Sequence, residues 1–161
     1  MLDRILVPLD GSEVLEEIIP SVRHLLSGTG ALAHLLVVRP PVRDIVRTPS
    51  RVIYLDERLR DERAGWADYL TRKGSMLAYD GVVVRSEVCF GEPLAETLAA
   101  ARRHCVRLIA VAAPAQSWLD RTLHPSLAQQ LLAQSAVPVL AVPTDSPPGG
   151  RAVLRYGGAA V

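Results

Sequence analysis

Lysine is almost missing from this chain: of its 18 basic residues only Lys73 is a lysine, and the rest are arginines. Against 17 acidic residues they leave a formal net charge of +1. That near-balance removes the global electrostatic case for a nucleic-acid partner. Arginine suits bidentate contacts to carboxylates and phosphates, though genome composition produces the same bias. Cysteine is scarce too. Cys89 and Cys105 stand alone among apolar neighbours, with no C-x-x-C and no metal-ligand spacing. They read as buried free thiols in a reducing setting. No apolar run approaches the roughly 18 residues that a membrane span requires. Met1-Leu2-Asp3-Arg4 enters an apolar segment without a leader pattern, so the expected location is cytoplasmic, away from membranes.

Catalytic signatures are missing as well. There is no G-x-x-x-x-G-K-[S/T] loop, no G-x-G-x-x-G, no H-E-x-x-H and no G-x-S-x-G. His24, His34 and His104 are scattered without metal spacing. His124 has no nucleophile placed beside it, and nothing supplies a nucleophile, base and orienting acid as a set. The reading is a protein that is not an enzyme and holds no resident metal.

What is present is the composition of one globular domain: 161 residues, 49% hydrophobic and 22% charged. The residues alternate between short apolar runs and helical patterns. Leu2 to Pro8 reads as a first strand. Residues 13–27 carry Val14, Leu15, Ile18, Ile19, Val22, Leu25 and Leu26 at helical spacing. Asp10 or Ser12 suits the cap of this helix, and Pro20 removes a hydrogen bond to Glu16 and predicts a kink. Ala31 to Val38 is a second strand, and a long polar connection follows from Arg39 to Tyr54. Leu55 to Lys73 is a charged helix with a stripe at Leu55, Leu59, Trp66 and Leu70, ended by Gly74. Gly81 to Phe90, Val106 to Ala112 and Val137 to Val142 complete five strands, with helices from Pro93 to His104 and from Ser126 to Gln134 between them. Strands apolar on both faces are covered on both faces. The pattern therefore predicts an α/β, doubly wound, mostly parallel, Rossmann-like sheet.

Two segments resemble a known family. Ile5-Leu6-Val7-Pro8-Leu9-Asp10-Gly11-Ser12-Glu13 looks like the opening strand and turn of the universal stress protein domain. Leu108 to Val142 looks like its closing half, ending in Ser135-Ala136-Val137-Pro138-Val139-Leu140-Ala141-Val142. The resemblance covers about residues 1–143, leaving 144–161 as a flexible or dimer-contacting tail. It implies the strand order 3-2-1-4-5, with the winding reversed between strands one and four. Ligands of such sheets sit beyond the strand ends at that reversal.

In ATP-binding members of the family the loop after strand four reads G-x-x-G-(nine residues)-G-[S/T]. Here the glycine positions hold Ala112, Ala115 and Pro125, and the final hydroxyl is Ser126. The spacing survives without its glycines. Alanine adds a methyl where phosphate would pack, and Pro125 has no N–H to give. The resemblance thus implies a degenerate nucleotide site at Pro8, Asp10, Val38, Ala112, Ala115, Ser117, Ser126 and Leu127. Asp10 has two readings: a contact to ribose or to a metal on phosphate, or a helix cap. Val38 is either the position whose backbone meets adenine or an ordinary core valine. Trp118 or Pro125 is expected to narrow the mouth of the crevice.

The functional expectation is a regulatory or interaction module that holds no cofactor and does not bind ATP tightly. The alternative is a divergent ATP/AMP-binding stress protein, with ATP and Mg²⁺ as ligands and weak or no hydrolysis. Pyrophosphatase-type α/β enzymes carry a serine- and glycine-rich loop after strand one, for which Pro8 to Ser12 is too sparse. The segment Val137 to Val142 is apolar and uncharged, an edge that invites a second chain. It predicts a homodimer through this strand, besides an unknown protein partner.

Overall fold

In the opening apolar run, alternate side chains of β1 (Arg4–Leu9) serve two different cores. Ile5, Val7 and Leu9 enter one and Leu6 the other, as the two-residue period of a strand requires. The computed structural model describes residues 2–12, 16–41, 46–48, 51–53, 55–78, 81–113, 125–144 and 153–155. After β1 come α1 (Ile18–Leu26), β2 (Leu32–Arg39), the short strands β3 (Val46–Thr48) and β4 (Arg51–Ile53), and α2 (Leu55–Ala78). β5 (Val83–Phe90), α3 (Pro93–Arg103), β6 (Leu108–Ala113), α4 (Leu127–Gln134), β7 (Val139–Pro143) and β8 (Val153–Arg155) follow.

The main sheet runs β5-β2-β1-β6-β7-β8. Its first five strands are parallel and keep the expected order 3-2-1-4-5. The sixth, β8, lies antiparallel on β7, with Leu140 opposite Leu154. The edge expected to stand open for a second chain is therefore paired within the chain, because the tail can supply the missing backbone partners itself. Leu140 packs toward the core shared with α1 and α2. β3 and β4 form a separate antiparallel pair inside the connection read as a polar loop.

The two cores lie on opposite faces of the sheet. Ile18, Val22 and Leu26 of α1 with Leu70 and Leu77 of α2 cover Val7, Leu35, Val37 and Ala110. Ala100 and Ala101 of α3 with Ala128 and Leu131 of α4 cover Leu6, Leu36, Ile109 and Val139. Among the described residues no helix is long and apolar enough to cross a membrane.

Several local expectations change. Glu16 is helical, Glu17 is a turn, and α1 begins at Ile18; the interruption falls where Pro20 cannot donate to Glu16. Gly74 does not end α2, which runs on to Ala78. A Cβ at Gly74 would stand 3.1 Å from Cγ1 of Val84, so this glycine lets the helix approach β5. Cys105 is exposed, not buried. It occupies the left-handed position after α3, with φ of 50°, in a Schellman ending: Val106 N–H donates to Ala101 O and Cys105 N–H to Arg102 O.

Candidate functional site

The strand ends at the reversal between β1 and β6 meet the first turns of α3 and α4. They enclose a cavity of about 280 Å³. Pro8, Leu9 and Asp10 reach it from β1 and its turn, Val38 from β2, Val111 and Ala112 from β6. Pro93 and Thr97 of α3 and Ser126, Leu127 and Ala128 at the start of α4 close it. Of the eight nominated residues, Pro8, Asp10, Val38, Ala112, Ser126 and Leu127 thus share one wall or another of the same cavity. Ala115 and Ser117 lie outside the described residues, as do Gln116, Trp118 and His124. The expected narrowing by Trp118 falls there too, and Pro125 is not part of the described lining.

Asp10 is exposed at the lip. Its Oδ1 accepts from Ser12 N–H at 2.8 Å. Gly11 between them has φ of +85°, so the carboxylate closes a turn at the lip of the cavity. A Cβ at Gly11 would lie 2.7 Å from the Trp66 ring, which packs directly on this turn. Trp66 in turn carries the Arg39 guanidinium 4.7 Å from its ring centroid.

Ala112 lines the cavity, yet its side chain belongs to the core under α1 and α2. Strand alternation sends its methyl to the opposite face from Val111. The methyl expected to crowd a phosphate is therefore buried elsewhere. The start of α4 carries a local cap. Ser126 N–H donates to Gln129 Oε1 at 3.0 Å, and Gln129 N–H donates to Ser126 Oγ at 3.3 Å. This is a reciprocal capping box. Pro125 precedes it without an N–H. Its carbonyl accepts from Gln130 Nε2 at 2.8 Å. The Ser-x-x-Gln spacing at 126 and 129 was the sequence signal for this cap, and it was overlooked. Thr97 and Pro93 were missed as well; Thr97 is fully buried and donates its hydroxyl to Pro93 O.

The universal stress protein family profile matches residues 1–143. The chain belongs to the universal stress protein family. Solved structures share this fold. UspA from Lactobacillus plantarum superposes with a TM-score of 0.67 at 21% identity, over 88% of this chain and 97% of that one. A universal stress protein in complex with cAMP gives 0.67 at 15% identity, over 89% and 98%. The Archaeoglobus fulgidus universal stress protein in complex with dAMP gives 0.58 at 13% identity, over 88% and 98%. At these identities the likeness speaks for the fold. No curated protein matches this chain in sequence.

Tertiary structure also assembles a cluster that the spacing of histidines did not announce. In this universal stress protein domain His34 of β2 stacks on His104 after α3, with ring centroids 4.3 Å apart. His104 Nε2 lies 2.7 Å from Glu87 Oε2, and Arg103 pairs with the other oxygen at 2.7 Å. Burial lowers the His34 pKa to about 4, helped by His104, Arg85 and Arg4 and opposed by Glu87. Burial also opposes ionisation of Glu87, but the His104 hydrogen bond, Cys89 and the Arg103 charge hold its pKa below the usual value. Among the described residues no group of three or more His, Cys, Asp or Glu is arranged to hold a metal ion. On the α2 side a second concavity of about 410 Å³ lies against Gly11, Trp66, Tyr69 and Arg72. Burial and nearby Glu16 raise the Tyr69 pKa above its usual range and keep the phenol neutral.

Proposed function

We propose that this chain is a regulatory or interaction module of the universal stress protein type, a homodimer and not a catalyst, in which ATP is not held tightly. The observation that carries the reading is the start of α4. Pro125 has no amide proton, and the Ser126 and Gln129 amides are engaged in mutual capping. Phosphate groups at helix starts are held by such amides. Calorimetry with millimolar ATP and Mg²⁺ is expected to give no association tighter than about 100 µM, roughly 5.5 kcal/mol. ATP carried through purification, or sub-micromolar affinity, would overturn the reading.

A second reading is weak binding of a nucleotide, ATP or AMP, through Asp10, Val38, Ser117 and Ser126, of which Ser117 lies outside the described residues. It is favoured by the shared cavity and by relatives solved with cAMP and dAMP. The same titration with AMP separates it from the first.

The dimer is proposed to form on the β7 side of the sheet about a two-fold axis, which satisfies both edges at once. β8 supplies only three residues against the five of β7, so a second β7 has more backbone to offer in its place. Light scattering at tens of micromolar is expected to report a dimer; a monomer there would refute the assembly.

A further inference from the structure

We infer that the outer edge of β5 is a second self-association surface, on which another copy of this chain pairs its own β5 antiparallel about a two-fold axis at Ser86. β5 ends the sheet on the side opposite β7 and β8, and among the described residues no strand lies beside it. It offers eight residues, against the five of β7.

The backbone phase of this edge is set by its bonds to β2. Val83 N–H donates to Ala31 O and Gly91 N–H donates to Arg39 O, so the odd-numbered residues turn their backbone groups inward. Val84, Ser86, Val88 and Phe90 turn theirs outward. Arg63 agrees with this phase: its Nη1 reaches Val88 O from α2, at 3.2 Å. The helix does not close over the edge. A cavity of about 290 Å³ is lined by Arg63, Ala67 and Leu70 of α2 and by Ser86, Glu87 and Val88 of β5. Side chains alternate across the sheet. Val84 and Val88 pack on the α2 side and Cys89 on the α3 side, so Arg85 and Glu87 share the α3 side.

An unpaired edge accepts another strand, and charge specifies which one here. Antiparallel pairing centred on Ser86 sets Ser86 opposite the partner's Ser86 and Val84 opposite the partner's Val88. All of these turn outward, so each pair exchanges two backbone hydrogen bonds, about six in all. The partner's Val84 amide then reaches Val88 O, a carbonyl with room for two donors, in place of or beside Arg63. The intervening pairs set Arg85 opposite the partner's Glu87, twice by symmetry, with Cα atoms about 4.5 Å apart. Arg85 is exposed. The Glu87 carboxylate, already bonded to Arg103 and His104, has acceptor capacity left for it. Centring the pair on Arg85 instead faces two arginines, and centring it on Glu87 faces two glutamates. Both registers keep the backbone phase and both bring like charges together. The alternation of sign therefore selects the Ser86 register over its neighbours.

β5 and β7 lie at opposite edges, so this contact adds to the dimer proposed on β7 and does not compete with it. Two self-complementary edges on one sheet join dimers into larger assemblies.

The test is sedimentation velocity of the full chain from about 10 to about 500 µM, a range that reaches weak association. The wild type is expected to pass beyond the dimer in the upper part of this range. Ser86→Pro removes an outward N–H on the axis, at an edge position that tolerates proline, and should stop at the dimer. Arg85→Glu sets glutamate opposite glutamate and should weaken the step at least about tenfold. Glu87→Arg should weaken it as well. An equimolar mixture of the Arg85→Glu and Glu87→Arg chains restores opposite signs in both pairs, so the larger species should return. Ser86→Pro and Arg85→Glu leave the Glu87 contacts to Arg103 and His104 in place. With wild-type circular dichroism they decide the matter even where Glu87→Arg does not fold. A wild-type chain that stops at the dimer, with the same mass in both variants, overturns the inference and leaves the β7 dimer standing. Growth beyond the dimer that neither variant changes overturns it too. Variants that fall to monomer at every concentration uphold the β5 pairing and overturn the dimer on β7. A wild-type monomer throughout overturns both.

Discussion

Trp66 packs on Gly11 so closely that a Cβ at position 11 would stand 2.7 Å from two atoms of the indole ring. Gly11 also sits at φ of +85°, where a side chain is strained whatever the space. Gly11→Ala should therefore destabilise the fold by about 1–3 kcal/mol, from the left-handed backbone and displacement of the ring together. Denaturant titration reads this as a lower midpoint at unchanged slope. In a Trp66→Ala background the penalty should shrink to the backbone part. An unchanged midpoint in Gly11→Ala would show that the turn adapts freely.

Cys105 holds a position that glycine fills better. Its φ of 50° closes the Schellman ending of α3, and the residue is exposed. Cys105→Gly should stabilise by about 0.5–1 kcal/mol, relief of left-handed strain being partly offset by the freedom glycine gains in the unfolded chain. For a chain of this size that is a rise of roughly 1–4 °C in Tm. Cys105→Ala removes the thiol but keeps the strain, so it should show no such gain. Equal Tm values for the two variants would count against the argument.

The His34–His104 stack predicts acid sensitivity with a definite sign. Above the unfolded pKa of about 6.5, His34 is neutral in both states and its titration adds no pH dependence. Between that value and about 4 the unfolded chain binds a proton that the buried ring refuses. Stability contributed by neutral His34 is thus fully present above pH about 6.5 and is lost as the pH falls toward about 4. The loss steepens to at most one proton, about 1.4 kcal/mol per pH unit. His34→Leu should flatten the stability–pH curve in that window, whereas His24→Leu, at an exposed position, should leave it steep. A His34→Leu curve parallel to wild type would exclude this role. Arg4, Arg85, Glu87 and His104 are the charged or titratable neighbours that act on His34, and none is altered in the test.

The tail strand makes the assembly testable. β8 pairs with Val139, Leu140 and Ala141 of β7. A chain ending at Thr144 exposes that apolar, uncharged edge, so it should dimerise at lower concentration than the full chain, by about tenfold for each 1.4 kcal/mol of pairing released. Concentration-dependent light scattering compares the two. A weaker dimer after truncation would instead place the tail inside the interface.

Much of the cavity lining was legible in the sequence because its residues are held by short local rules. A strand end, a glycine turn and a helix start fall at fixed chain positions, and the strand order of a parallel sheet then brings them to one crevice. Pro8, Asp10, Val38, Ala112, Ser126 and Leu127 met for that reason. The alternation of strands and helices, and the two cores on opposite faces, followed from hydrophobic period alone. The Ser126–Gln129 cap was also written locally, in a spacing of three.

Other features depended on contacts between distant segments. The direction of the Ala112 methyl depended on strand phase at one residue, which a loop motif does not specify. Gly74 carried the mark of a helix end, but the approach of Val84 across the α2–β5 contact made it a packing residue within a longer helix. His34, Glu87 and His104 lie on three elements and became a cluster only when β5 paired with β2 and α3 closed over them. The open edge at β7 was correct for the strand by itself. It was lost because three residues of the tail could satisfy its backbone groups, and a buried or apolar edge takes whichever backbone partner is nearest. Sequence by itself determined which segments are strands and helices and in what order they pack, since period and burial are properties of each segment. Tertiary structure decided which donors, rings and edges remain available, since that depends on what each group meets across the fold.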